Sequence, residues 1–237
     1  MFHPKGPSFL ELTKQALSST ETGYDLLAPK FDYTPFRTPE PILAALTAYL
    51  REGPVVGRAV DLCCGTGAVM NALVPVVTDE VVGVDFSAGM LTEARKLVPA
   101  SSDGPALRFE QRDVFAMPPN PAYELATCFG ALGHVPYGRE RDFLRSVRGV
   151  LKPGGRFVFV SGSTPRWWSR AYLFSKGFNT VMHVRNAIVR PSFVMFYLRF
   201  LVPEVTSWLE AEGFSVRLVG GIFPAPFERC VLVEATR

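Results

Sequence analysis

Two acidic residues lie at the ends of successive apolar segments, and a glycine-containing turn separates them. Asp61 ends a short β-branched run, and Asp85 ends the run at residues 81–84. A glycine-rich turn that leads into a helix presents free backbone N–H groups and the positive end of the helix dipole. A carboxylate about twenty residues further on, at the end of the next strand, accepts hydrogen bonds from both hydroxyls of a ribose. The spacing predicts a site for an adenosine-containing cofactor.

The turn itself is less specific than the pair of acids. Gly65 and Gly67 fit a dinucleotide fingerprint, but Met70 stands where the third glycine is needed, and the chain contains no P-loop sequence. A residue without Cβ lets a ligand approach the main chain closely. A plain structural turn explains these glycines equally well, and a solvated strand end is the alternative for Asp85. The second acidic strand end favours the cofactor site.

Five short segments in order resemble the class I S-adenosylmethionine-dependent methyltransferases. They are residues 60–67, 82–85, 112–114, 126–130 and 151–155. Their order and spacing are more specific than any one segment, and the similarity covers roughly residues 55 to 160. One position departs from the family pattern, because Cys63 stands where the family usually has glycine.

The resemblance implies a fold, a cofactor and a set of residues that bind it. The fold is a Rossmann-like, doubly wound α/β domain whose seven-stranded, mostly parallel sheet has an antiparallel last strand. The cofactor is S-adenosyl-L-methionine, which leaves as S-adenosyl-L-homocysteine after methyl transfer to a small molecule. In the family pattern Asp113 meets the adenine amino group, and Val114 packs on the ring. The cofactor-binding positions assigned in this way are Tyr24, Asp61, Cys63, Cys64, Gly65, Thr66, Gly67, Asp85, Phe86, Met90, Asp113, Val114, Cys128, Phe129 and Gly130.

We interpret all 237 residues as one methyltransferase domain with four parts. Residues 1–53 are expected to form an N-terminal helical lid, because residues 24–33 are similar to a lid segment of small-molecule methyltransferases. A capping helix is the alternative. Residues 54–160 form the cofactor-binding core, residues 161–203 a substrate-cover insertion, and residues 204–237 a late helix and a strand pair. The last two strands are too close in sequence for a crossover helix, so they must pair antiparallel or not pair directly.

The overall composition limits the partners and the compartment. The net charge of +3 is too small to imply nucleic acid. The four cysteines have neither C-x-x-C nor zinc spacing, which is typical of reduced thiols in a cytoplasmic protein. No apolar run approaches the length of a membrane span, and no cluster of His and carboxylates predicts a metal. Residues 128–131 also lack the Asn-Pro-Pro or Asp-Pro-Pro run that is common in methyltransferases of base amines.

Residues 161–203 are rich in aromatic and basic side chains and contain no Asp or Glu. In fact no acidic residue occurs from residue 143 to residue 203. We expect a helix at residues 166–178 and a strand at residues 192–201. Three interpretations remain open: a cover for an aromatic or acidic substrate, a peripheral contact with anionic lipid, or core and homodimer packing. Binding of single-stranded nucleic acid is a fourth interpretation, which the sequence favours less than the other three.

His134 is the predicted catalytic residue, a general base for an acceptor that loses a proton. It follows the fourth strand, where an acceptor would lie; the alternative is that His134 only caps its loop. The leading function is methyl transfer to O, N or C of a small molecule that is aromatic or hydrophobic, with an acidic group as a further option. A protein of the same fold that binds the cofactor without transferring the methyl group is the alternative, and a dinucleotide oxidoreductase is disfavoured by the missing third glycine.

Overall fold

Seven strands form one central sheet in the computed structural model, which describes residues 3–237. The order across the sheet is β3-β2-β1-β4-β5-β7-β6. The strands are β1 (Val56–Leu62), β2 (Val77–Asp85), β3 (Ala106–Gln111), β4 (Tyr123–Thr127), β5 (Leu151–Gly162), β6 (Ser215–Val219) and β7 (Cys230–Thr236).

Only the last strand runs against the others. The pairs β1–β2, β1–β4, β2–β3 and β4–β5 are parallel, whereas β7 is antiparallel to both β5 and β6. β7 is therefore inserted between its two neighbours, and β6 regains the direction of the rest of the sheet. The predicted Rossmann-like fold with an antiparallel last strand is confirmed.

Helices cover both faces of this sheet. They are α1 (Phe9–Leu17), α2 (Thr20–Leu27), α3 (Glu40–Arg51), α4 (Ala68–Leu73), α5 (Ala88–Leu97), α6 (Glu140–Val150), α7 (Arg170–Ile188) and α8 (Val202–Ala211), with short 3-10 helices at Ala28–Tyr33, Val114–Ala116 and Leu132–His134. Across residues 3–237, no helix combines the length and the apolar character needed to cross a membrane.

The strands bury side chains on both faces, as the period of two in a strand requires. Val60 and Leu62 of β1 belong to the core beneath α6 and α8. Ala59 belongs to the second core, beneath α3 and α4, together with Leu46 of α3. Because both faces of β1 are covered, a ligand can reach this strand only at its end.

The prediction of a strand at residues 192–201 is wrong. This segment has no regular structure, and Leu198 and Phe200 adopt positive φ values of 57° and 52°. Side chains of α7 satisfy its backbone instead of a neighbouring strand. The Asn179 amide bonds to N and O of Tyr197, and Asn186 bonds to N and O of Phe193.

Two other boundaries also differ from expectation. The helix predicted at residues 166–178 begins at Arg170 and continues to Ile188. β5 begins at Leu151 and includes the Pro-Gly-Gly sequence at residues 153–155. A register irregularity in the β4–β5 pairing accommodates these residues.

Candidate functional site

A cavity of about 290 Å³ opens at the carboxyl ends of β1, β2 and β4. β1 lies at the point where the strand order reverses, which is where open α/β sheets bind ligands. The predicted positions that line this cavity are Tyr24, Asp61, Cys63, Cys64, Gly65, Thr66, Asp85, Phe86, Met90, Phe129, Gly130 and His134.

Asp61 lies at the base of the cavity and is 1% exposed. It is in register with Thr127 of β4, whose Oγ1 donates a hydrogen bond to Asp61 Oδ1 at 2.7 Å. Asp61 Oδ2 has no hydrogen-bond partner. Burial, together with the nearby Asp85 carboxylate, raises the pKa of Asp61 to about 7, although the hydrogen bond from Thr127 acts in the opposite direction. A buried acceptor oxygen without a partner is costly, so this atom marks a place for a donor group of a ligand.

Asp85 lies on the opposite side of the turn that contains Gly65. Its Oδ2 accepts the backbone N–H of Gly65 at 2.9 Å, and its Oδ1 accepts that of Ser87 at 2.9 Å. Burial raises the pKa of Asp85 to about 6, although these two backbone bonds act in the opposite direction. The carboxylate is thus held rigidly where the turn and the start of α5 meet.

The turn between β1 and α4 adopts left-handed backbone at every second residue. The φ values are 56° at Cys63, 53° at Gly65 and 83° at Gly67. A Cβ on Gly65 would meet nothing within 4 Å, so its open side is available to a ligand. A Cβ on Gly67 would lie 2.4 Å from Val98 Cγ2. The lack of a side chain at Gly67 therefore allows this turn to pack closely against Val98. Cys63 accepts a conformation that usually requires glycine.

The N-terminal segment lies directly over this turn. Asp25 Oδ1 accepts hydrogen bonds from Ser87 Oγ at 2.6 Å and from the Gly89 N–H at 2.8 Å. Thr66 Oγ1 donates to Asp32 Oδ1 at 2.6 Å. α2 and the 3-10 helix after it therefore rest on the loops that carry Asp85 and Gly65.

His134 connects the N-terminal segment to the segment after α7. Its Nδ1 lies 2.5 Å from the Val194 carbonyl oxygen, and its Nε2 lies 2.7 Å from Tyr24 Oη. Because a carbonyl oxygen only accepts, Nδ1 carries the proton and Nε2 accepts from the tyrosine hydroxyl. Loss of water lowers the pKa of His134 and raises the pKa of Tyr24, so both groups are neutral at pH 7.

Four predicted positions do not line the cavity. Asp113 is exposed and caps a 3-10 helix, where its carboxylate accepts the Phe115 N–H at 2.9 Å. Val114 and Cys128 belong to the core beneath α6, and Gly67 is the N-cap of α4. The adenine contact assigned to Asp113 and Val114 stays a prediction.

Several lining residues were not predicted, among them Phe31, Phe36, Arg37, Met195 and Tyr197. Two of them come from the irregular segment after α7, and the others come from the N-terminal segment. The aromatic content of both segments was a signal for a cover over the site. Nothing local in the sequence selects which of these side chains point inward, because that depends on how the segments fold back.

No group of three or more His, Cys, Asp or Glu side chains in the described part of the chain is arranged to hold a metal ion. All four cysteines are free thiols.

Comparisons with known proteins agree with this geometry. Residues 59–155 match a family model described as a methyltransferase domain. A demethylmenaquinone methyltransferase from Bacillus licheniformis is 28% identical over 153 residues, 62% of each chain. One from Staphylococcus aureus strain JH9 is 32% identical over 164 residues, 67% of this chain and 61% of the relative. The chain thus spans about three fifths of the length of these curated relatives.

Solved structures share the whole fold. The DhpI–SAH complex superimposes with a TM-score of 0.66 at 23% identity, over 96% of this chain and 98% of the other. Magnesium protoporphyrin IX methyltransferase (ChlM) from Synechocystis PCC 6803 with bound SAH gives 0.62 at 17% identity, over 92% and 95%. The match identifies residues 59–155 as a methyltransferase domain, and the strand order and the shared fold are those of the class I S-adenosylmethionine-dependent methyltransferases.

Proposed function

We propose that this protein transfers a methyl group from S-adenosyl-L-methionine to a small, apolar, ring-containing molecule. One observation carries the proposal. A single cavity at the reversal point of the sheet contains two buried carboxylates, and Asp61 Oδ2 has no partner there. If the site bound no ligand, this buried acceptor oxygen would lack a hydrogen bond, and its desolvation penalty would be uncompensated.

The residues of the cavity fit the cofactor. Asp85 would hold the ribose hydroxyls, as a carboxylate at this strand end does in related folds. The open side of Gly65 lets the amino-acid part of the cofactor approach the backbone. Asp61 Oδ2 would accept a hydrogen bond from a donor group of the cofactor.

When bound, the cofactor supplies an electrophilic methyl carbon on a sulfonium, which a nucleophile displaces in line. The task of the protein is to align the acceptor and to exclude water. Tyr24 and Tyr197 lie on the walls of the cavity, and they come from the two segments that fold over it. Their positions limit the access of water from that side.

The Tyr24–His134 pair is suited to take a proton from the acceptor. His134 Nε2 is a neutral acceptor because Val194 holds the proton on Nδ1. The raised pKa of Tyr24 keeps its hydroxyl protonated. An acceptor hydroxyl that replaces Tyr24 Oη beside Nε2 would pass its proton to His134 during transfer.

The acceptor class follows from the walls of the cavity and from the relatives. Aromatic rings of Phe31, Phe36 and Tyr197 form much of the lining, which favours a planar ring over a sugar or a peptide. The curated relatives are demethylmenaquinone methyltransferases. We therefore extend the proposal to a quinone-type ring as the acceptor.

Titration calorimetry and a transfer assay test the proposal together. We expect micromolar binding of S-adenosylmethionine, strongly weakened in Asp85→Ala. Asp79→Ala is the matched control, because Asp79 is an exposed carboxylate on the same strand, β2. Transfer of a labelled methyl group to a reduced demethylated quinone should then follow cofactor binding.

Two results would count against it in different ways. A folded wild-type protein that does not bind the cofactor overturns the whole proposal. Binding of the cofactor without transfer to any ring acceptor would favour the alternative, a protein of this fold that binds the nucleoside in a regulatory or assembly role.

A further inference from the structure

The outer face of α7 is apolar and fully open to solvent. Leu173, Phe174, Val181, Val184 and Ile188 are between 54% and 77% exposed. Their spacing of three, four and seven residues places them on one side of the helix. The buried residues of α7 lie on the other side. A stripe of this kind on a surface helix marks a docking site.

Two exposed tryptophans come just before the helix in the chain. Trp167 is 70% exposed and Trp168 is 58% exposed, and their rings meet edge to face with centroids 5.3 Å apart. Exposed tryptophan is costly in water but is favoured at the boundary between lipid headgroups and acyl chains. We call these two residues and the stripe, together, the α7 surface.

The charges around the α7 surface have one sign. Arg166, Arg170, Lys176 and Arg190 are exposed, and within residues 3–237 none of them has a carboxylate within 4.0 Å. No acidic residue occurs from residue 143 to residue 203. The cations are therefore available to an anionic partner.

From these observations we propose that the α7 surface docks on an anionic lipid bilayer. Apolar side chains and tryptophan on one helix face, flanked by unpaired cations, are the features by which a helix lies in a membrane interface. A second copy of the chain fits less well. Two such helices side by side would bring equal positive charges together without any acidic partner.

The α7 surface is connected to the cavity by aromatic rings. Phe174 on the exposed stripe lies 6.1 Å, between ring centroids, from Tyr197, and Phe178 lies 4.8 Å from the same ring. Tyr197 in turn lines the cavity. A lipid-soluble acceptor would thus meet the cavity wall directly from the membrane. This last step rests on the proposed function, whereas the docking itself does not.

Vesicle co-sedimentation tests the docking. The full chain should bind vesicles of phosphatidylcholine and phosphatidylglycerol in equal parts, and should bind pure phosphatidylcholine at least about tenfold more weakly. Salt at about 0.5 M should release it, because the Debye length then falls to a few ångström.

Variants of exposed residues locate the surface. Val181→Asp with Ile188→Asp, and separately Trp167→Ala with Trp168→Ala, should each weaken binding to anionic vesicles about tenfold. Val55→Asp is the matched control, because Val55 is 81% exposed at the opposite end of β1, and it should bind as the wild type does. Circular dichroism and cofactor titration establish that each variant is folded.

Three outcomes would overturn the proposal. They are wild-type binding that is equal on neutral and anionic vesicles, aspartate variants that bind as well as wild type, and a solution dimer that Val181→Asp dissociates. Because cofactor binding is measured on the same samples, a failure of docking is distinguished from a failure of the proposed enzyme activity.

Discussion

Replacement of Asp61 by asparagine should remove a pH-dependent cost that the cofactor site imposes on the unliganded fold. The side chain is 1% exposed, and burial raises its pKa from 3.8 to about 7. Asparagine has nearly the shape of the protonated acid, and its Oδ1 can still accept the Thr127 hydroxyl. The substitution therefore changes the ionisation and leaves the packing in place.

The sign and size of this effect on the free energy of unfolding follow from proton linkage. As pH rises above 3.8, Asp61 loses its proton in the unfolded chain but keeps it in the folded protein until about pH 7. The free energy of unfolding of the wild type therefore falls across this window, and asparagine lacks this dependence. A difference of about three pKa units corresponds to about 4 kcal/mol at most. Because about one unit of this window lies below pH 5 and the nearby Asp85 also titrates in this range, we expect a change of about 2–3 kcal/mol between pH 5 and pH 8.

Urea denaturation followed by circular dichroism at pH 5 and pH 8 measures this effect without cofactor. The free energy of unfolding of Asp61→Asn, relative to that of the wild type, should increase from pH 5 to pH 8. The control Asp79→Asn should show no such increase, because Asp79 is exposed. The variant should also bind S-adenosylmethionine more weakly, since an amide presents N–H groups where Asp61 Oδ2 has a free lone pair. A stability difference that is the same at both pH values would refute the reasoning.

Three further substitutions test the local structure. Gly67→Ala should lower stability by about 2 kcal/mol or more, seen as a lower Tm, because its φ is 83° and a Cβ would lie 2.4 Å from Val98 Cγ2. Cys63→Gly should raise the free energy of unfolding by about 0.5–1 kcal/mol, seen as a higher urea midpoint, because it relieves a left-handed backbone at the cost of chain entropy. Glu140→Ala should cost about 3–5 kcal/mol in urea unfolding, because it leaves the buried Arg199 without its carboxylate; an unchanged midpoint would mean that Arg199 finds another partner.

The sheet and the floor of the site were predictable because their signals are local. Asp85 ends β2 and Asp61 lies one residue before the end of β1, and parallel strands bring such ends to one edge of the sheet. Ser87 at the N-cap of α5 is another local feature, since its side chain accepts the Met90 N–H at 3.1 Å. These features depend on neighbours within a few residues.

The cover of the site was not predictable in detail because its contacts are long-range. Residues 192–201 are almost all apolar or aromatic, a composition that is compatible with a buried strand. Their backbone bonds go to Asn179 and Asn186 instead. A side-chain amide that substitutes for a strand partner leaves no periodic signal in the sequence. The inward direction of Tyr197 depends on those two amides and on the helix that carries them.

The bonds that hold the N-terminal segment also constrain how the cavity can be entered. Thr66 donates to Asp32, Asp25 accepts from the start of α5, and Tyr24 donates to His134. Two of these bonds involve the turn and helix start that carry Gly65 and Asp85. If a cofactor orders these two loops, we expect the same bonds to hold the N-terminal segment more firmly over the cavity.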